Sequence, residues 1–194
     1  MKPDHLAGIL QFLREAERLK QTWRSAWTSG GHKESTAAHT WRLCLMALLL
    51  EKEFPEVNFT RLLKICIVHD LGEAIRGDIP AIHQKPGEPK GTAERRDLLK
   101  LVTPLPETLR AEIVALWDEY EAAATPEARI AKALDKLETI LQHNQGANPP
   151  DFDYAFNLPY GKKQTDAVPL AAGIRRILDE DTRRNDAAPK SRNT

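Results

Sequence analysis

The stretch Leu62-Leu63-Lys64-Ile65-Cys66-Ile67-Val68-His69-Asp70-Leu71-Gly72-Glu73 decides how this chain is read. Its apolar residues recur at helical spacing, and Asn58 or Thr60 stands where such a helix would open. The helix is expected to fray between Gly72 and Gly77. An apolar helix therefore delivers a histidine and two carboxylates at its end. Taken singly, His69 would be a capping or satisfied core histidine. Its company changes the reading. Glu73 lies four residues on and shares a helix face with His69. Asp70 points roughly a quarter-turn away. One ion could be reached by both His69 and Asp70 only beyond the helix flank, with further donors arriving from elsewhere in the chain.

Two other apolar helical segments can supply those donors. His39 lies in a segment that Ser35 would cap and that Pro55 stops after Phe54. Asp135 interrupts the apolar face between Leu134 and Leu137, where a carboxylate is costly unless paired or metal-bound. For Asp135 alone, an ion pair with Arg or Lys is the competing explanation. Together the four residues offer two imidazoles and two carboxylates, a suitable set for one divalent metal of borderline hardness.

Helical periodicity continues through almost the whole chain. Leu6, Ile9, Leu10 and Leu13 mark a first amphipathic helix ending near Lys20, followed by a connector over 21–34. Residues 77–91 hold three glycines and three prolines and read as a long loop. Helices are expected over about 92–102, around Leu109 to Tyr120, and from Thr125-Pro126-Glu127 to about Gln142. That last start combines an N-cap, a first-turn proline and an acid at the dipole's positive end. A second long loop spans 144–165. A last helix carries Ile174, Ile177 and Leu178, and the tail from Arg183 is polar and expected to be disordered. No strand or repeat is evident. The expected architecture is all-α: one compact helical bundle of about six to eight helices over 1–182, with 183–194 as a tail.

Composition narrows the function. Lys plus Arg and Asp plus Glu number 28 each, so no net positive field exists to hold a polynucleotide. A small anionic substrate met by local cations fits better. The longest apolar run, Leu43 to Leu50, is too short to span a bilayer, and no signal segment opens the chain. Cys44 and Cys66 sit in apolar runs as small buried hydrophobes, consistent with a reducing cytoplasm.

The order His39, His69-Asp70, Asp135 on helices resembles the HD-domain metal-dependent phosphohydrolases. The stretch from His69 to Pro80 resembles the central motif H-D-x-x-E-x-x-x-G-D-[IL]-P of the HD-domain 5′-deoxynucleotidases. Glu34 to His39 and Ala133 to Glu138 are similar to that family's first and closing metal segments. Arg24 lies fifteen residues before His39, as the substrate-contacting arginine does in bacterial members. Two positions depart from the pattern. Ala38 replaces an acid that many relatives carry, and Ser25 replaces the tryptophan that follows the bacterial arginine, while Trp23 and Trp27 flank it.

The resemblance implies an HD-type helical fold and one divalent ion (Mn, Co, Mg, Zn, Ni or Fe) held by His39, His69, Asp70 and Asp135. It implies that Glu73 orients or deprotonates the attacking water, that Asp78 is a second catalytic carboxylate, and that Arg24 contacts substrate or phosphate. Gly77 would turn the chain so that Asp78 faces the site. The expected activity is release of phosphate from nucleoside 5′-monophosphates by a cytoplasmic homodimer, with no membrane or polynucleotide partner. The alternatives are hydrolysis of another nucleotide and a non-catalytic HD binding domain. Alarmone hydrolases resemble H-D-x-x-E-D, and Ala74 occupies the last position here. A dinuclear centre would need further histidines, for which only His83 or His143 is available. His32, His83 and His143, and Lys85, Lys90, Lys162 and Lys163, are read as solvated, as are Arg175-Arg176 and Arg183-Arg184. The Leu and Trp helix faces are read as core.

Overall fold

A computed structural model describes residues 2–78 and 90–188. Among them are α1 (Pro3–Ala16), strands β1 (Trp23–Trp27) and β2 (Lys33–Ser35), α2 (Thr36–Leu49), α3 (Phe59–Val68) and the short α4 (Glu73–Arg76). They continue with α5 (Lys90–Leu101), α6 (Glu107–Ala122), α7 (Pro126–Gln145), the short α8 (Lys162–Asp166) and α9 (Pro169–Ala187). The all-α expectation holds: seven of these helices are of ten residues or more. His83 and Lys85 lie outside the described residues.

The organising element is α7. The Thr125 hydroxyl accepts the Ala128 amide and Pro126 occupies the first turn, so the helix starts where the sequence indicates. Twelve of its 20 residues are buried, spread around the cylinder rather than along one stripe. Such a helix must be wrapped by neighbours, and α2, α3, α6, α8, α9 and β1 all pack on it. Ser35 caps α2 through the Ala38 amide, and Asn58 caps α3 through the Arg61 amide. Leu43, Leu62, Ile65, Leu134, Leu137 and Ile140 are fully buried where α2, α3 and α7 meet.

Four departures from the sequence reading matter. The connector over 21–34 contains an antiparallel hairpin, β1 with β2, closed by a turn at Thr28 to His32. Thr22, Arg24 and Ala26 alternate inward while Trp23 and Ser25 face solvent, the period of two that a half-buried strand shows. The α1 stripe Leu6, Leu10 and Leu13 is exposed over about half its area, and Phe12 is buried instead. On α2 a second apolar face, Trp41, Leu45, Leu48 and Leu49, is also outside the core, with Trp41 67% and Leu49 75% exposed. The chain remains helical through Ala187, so residues 183–187 of the expected tail continue α9. No helix among the described residues is long and apolar enough to cross a membrane.

Candidate active site

The His69 segment departs from a continuous helix in a useful way. α3 ends at Val68, and the amides of Leu71, Glu73 and Ala74 bond to carbonyls three residues back. Residues three apart eclipse in such a tightened turn, so Asp70 and Glu73 come to one edge. Both line the same cleft, of about 210 Å³, together with Arg24, His69, Asp78 and Asp135. His69 and Glu73 reach it from either side of a helix break rather than from one helix face. Gly77 follows with φ +85°, and Asp78 then turns back onto the cleft wall.

Side-chain partners fix which atoms point inward. The His69 Nδ1–H donates to the Cys66 carbonyl at 2.8 Å, so Nε2 is the ring nitrogen turned to the cluster. That Nε2 lies 3.0 Å from Asp70 Oδ2. On His39, fully buried, Nδ1 faces Glu138 Oε2, leaving Nε2 3.1 Å from Asp135 Oδ1 and 3.8 Å from Asp70 Oδ2. Asp135 is itself oriented: Tyr120 Oη and Lys136 Nζ donate to Oδ2 at 2.7 and 2.8 Å, which leaves Oδ1 toward His39. His39, His69 and Asp70 offer donor atoms that all lie within 4.8 Å of one another, and Asp135 joins them through His39.

This arrangement fits a cation. His39 Nε2, His69 Nε2 and Asp70 Oδ2 are buried and make no hydrogen bond among the described residues. Lone pairs facing each other at about 3 Å repel unless positive charge stands between them. Glu34, Asp70, Asp135 and Glu138 exceed Arg24, Arg42 and Lys136 by one formal negative charge, and the mixed N/O donors suit a first-row divalent ion. Without an ion, a proton serves instead. Burial and Arg24 push His39 down, but the Glu138 and Asp135 carboxylates pull it up to about 10. Asp135 is opposed by burial, yet Lys136 and His39 hold its carboxyl well below the usual range.

A second layer surrounds these atoms; the sequence reading picked out Arg24 in it but assigned no role to Glu34 or Glu138. Glu138, fully buried, accepts a hydrogen bond from Arg42 Nε on Oε1 at 2.6 Å, forms an ion pair with Arg42 Nη2, and meets His39 on Oε2. Its place three residues after Asp135 on α7 was the available signal. Glu34, from β2, lies 3.4 Å from Arg24 Nε. Arg24 Nη2 donates to Thr139 Oγ1 at 2.9 Å, and its Nη1 lies 3.6 Å from Asp70. The hairpin therefore carries Arg24 directly to the cluster. Glu34, His39 and Glu138 form another close donor group, but Arg42 and Arg24 already neutralise its carboxylates. His143 is buried on the cleft wall with Nδ1 2.7 Å from Asn157 Oδ1, and burial lowers its pKa. His32 is exposed.

The HD domain family model matches residues 16–174. The chain belongs to the HD domain family. This HD domain is 36% identical over 141 residues to the 5′-deoxynucleotidase HDDC2 of Mus musculus, covering 72% of this chain and 70% of the mouse protein. It is 39% identical over 141 residues to the 5′-deoxynucleotidase hdd1 of Schizosaccharomyces pombe, covering 70% of each. Among solved structures, a predicted metal-dependent phosphohydrolase from Magnetospirillum magnetotacticum superposes on the HD domain with a TM-score of 0.80 at 31% identity. That likeness covers 96% of this chain and all of the other.

Proposed function

We propose that this HD domain is a metal-dependent 5′-nucleotidase that releases phosphate from nucleoside 5′-monophosphates, with deoxynucleotides as the first class to test. The observation that carries the reading is the clustering of His39, His69, Asp70 and Asp135, the last three on the cleft wall and His39 buried directly behind them, in a chain whose relatives are named as 5′-deoxynucleotidases. Those four residues are assigned as holders of the divalent ion, and two imidazoles favour a transition metal over Mg²⁺. The bound ion supplies the charge that polarises a phosphoryl oxygen and acidifies a nearby water.

The chain's own residues do the rest. Glu73 is buried at the start of α4, and the Thr36 hydroxyl donates to its Oε2 at 3.2 Å, fixing the carboxylate. It is assigned as the base that takes the water's proton. Asp78 is the second carboxylate on the wall. Arg24, set by Thr139 beside Asp70, is a fixed cation for charge that develops on the phosphoryl group. The test is an inorganic-phosphate release screen over ribo- and deoxyribonucleoside monophosphates with Mn²⁺, Co²⁺, Mg²⁺, Zn²⁺ and Ni²⁺. No release from any pair would overturn the reading.

Two variants probe the assigned roles. Arg24→Ala is expected to lose about 10²-fold in kcat/KM on a deoxynucleotide and on p-nitrophenyl phosphate alike, because the guanidinium lies beside the metal-holding Asp70. Loss confined to the nucleotide would move its contact to the nucleoside. Glu138→Gln keeps the shape but removes the charge that orients His39 Nδ1–H. Retained metal, measured by competition with a chromogenic chelator, should weaken about 10–100-fold; unchanged affinity would make Glu138 a partner of Arg42 only.

We also assign a homodimer in a reducing cytoplasm. The exposed α2 face with Trp41 and Leu49 supports a second copy as its cover. Two unpaired cysteines support the compartment.

A further inference from the structure

Beyond the cluster, the cleft has an aromatic wall. Phe156 and Tyr160 both line it and are both half-buried, with ring centroids 5.3 Å apart and planes tilted by 32°. Tyr160 is joined to the metal-holding side. Lys136 Nζ bonds Asp135 Oδ2 at 2.8 Å and the Tyr160 hydroxyl at 3.3 Å. One ammonium therefore bridges the cluster and the aromatic pair.

The wall is built, not incidental. It lies in the loop over 144–165 for which the sequence offers no pattern. Arg175 of α9, read from sequence as solvated, is only 2% exposed. Its Nη2 donates to the Asn157 and Leu158 carbonyls at 2.6 Å, and its Nη1 to the Tyr160 carbonyl at 2.7 Å. Asp179 holds Nε at 2.6 Å. One buried guanidinium thus fixes the backbone that carries both rings. From the other side, the fully buried Asn157 receives His143. Gly161, at φ +64°, lets the chain pass against the Lys136 stem, where a Cβ would come within 2.5 Å of its Cγ. Orienting a backbone this firmly lowers the cost of ordering a ligand on it.

We propose that Phe156 and Tyr160 form a platform for the nucleobase of the substrate, with Lys136 and Arg175 as positioning residues for it. The proposal rests on the nucleotidase reading and names how that site takes its substrate. Aromatic rings on the wall of the same cleft suit a nucleobase and tolerate different bases, because every base has a π-face.

The test compares deoxyadenosine 5′-monophosphate with 2-deoxyribose 5-phosphate, which carries an anomeric hydroxyl in place of the base, in the metal-loaded protein. Phe156→Ala should lower the ratio of kcat/KM for the two esters about ten-fold. Phe156→Trp should restore it. The ratio cancels any loss of folded protein. In parallel, the Kd of deoxyadenosine is measured by calorimetry and should rise about ten-fold in Phe156→Ala. Arg175→Met should lower the same ratio while metal content stays at the wild-type level. A ratio and a Kd that do not move in Phe156→Ala overturn the platform. So does a wild type that neither binds deoxyadenosine nor distinguishes the two esters. If the wild type binds deoxyadenosine in a Phe156-dependent way but hydrolyses neither ester, the platform stands and the nucleotidase reading falls.

Discussion

Replacing Glu73 by Gln is expected to leave metal content and nucleotide binding in place while lowering turnover by on the order of 10²–10⁴-fold. The expectation follows from position. Glu73 lines the cleft beside Asp70, yet it is absent from the tight donor group of His39, His69 and Asp70. The Thr36 hydroxyl that fixes it can still bond the Gln amide oxygen. Size and orientation are thus kept and only basicity is removed. The measurement is kcat and KM on one deoxynucleotide, with metal quantified on the same sample. Full activity in the variant would sink the proposed proton transfer.

The second large effect concerns the ion. His39→Ala and Asp135→Ala should each abolish metal retention in elemental analysis. His39 Nε2 lies between Asp135 and Asp70, so its loss also leaves buried carboxylates facing each other. Exhaustive chelation of the wild type should lower the melting temperature, and Mn²⁺ or Co²⁺ should restore it by linkage. Wild-type stoichiometry in both variants, with a melting curve that chelation does not move, would identify the cluster as a structural ion-pair network.

The parts of this arrangement legible in the sequence are those carried by local pattern. His39 and Asp135 sit within helices of clear periodicity and caps, and His69-Asp70 directly follow a third, each a polar group beside an apolar run. Arg24 was reached only through resemblance, because its strand is five residues long and its alternation is brief. Glu138 and Tyr120 escaped for a different reason. Their partners lie 99 and 15 residues away, and no periodicity reports which acid a folded chain will place against which histidine. Arg175 shows the limit most plainly. An arginine pair near a chain end reads as solvated, and only the fold reveals that one member meets carbonyls 15 to 18 residues earlier. The exposed leucines of α1 and α2 show the converse: amphipathic spacing marks an apolar face without saying what will cover it.

The Arg175 clamp also bears on where this domain ends. The family model's match ends at residue 174, one position before the guanidinium that holds the aromatic wall, although the likeness to the Magnetospirillum structure covers 96% of the chain. A fragment cut at that border would retain every residue assigned to the ion and to proton transfer, and would release the segment that faces the rest of the substrate. Reaction and selectivity therefore share Lys136 on α7, while selectivity alone leans on α9. Descendants of this fold could exchange one nucleotide for another by redrawing a terminal helix, leaving the chemistry inherited intact.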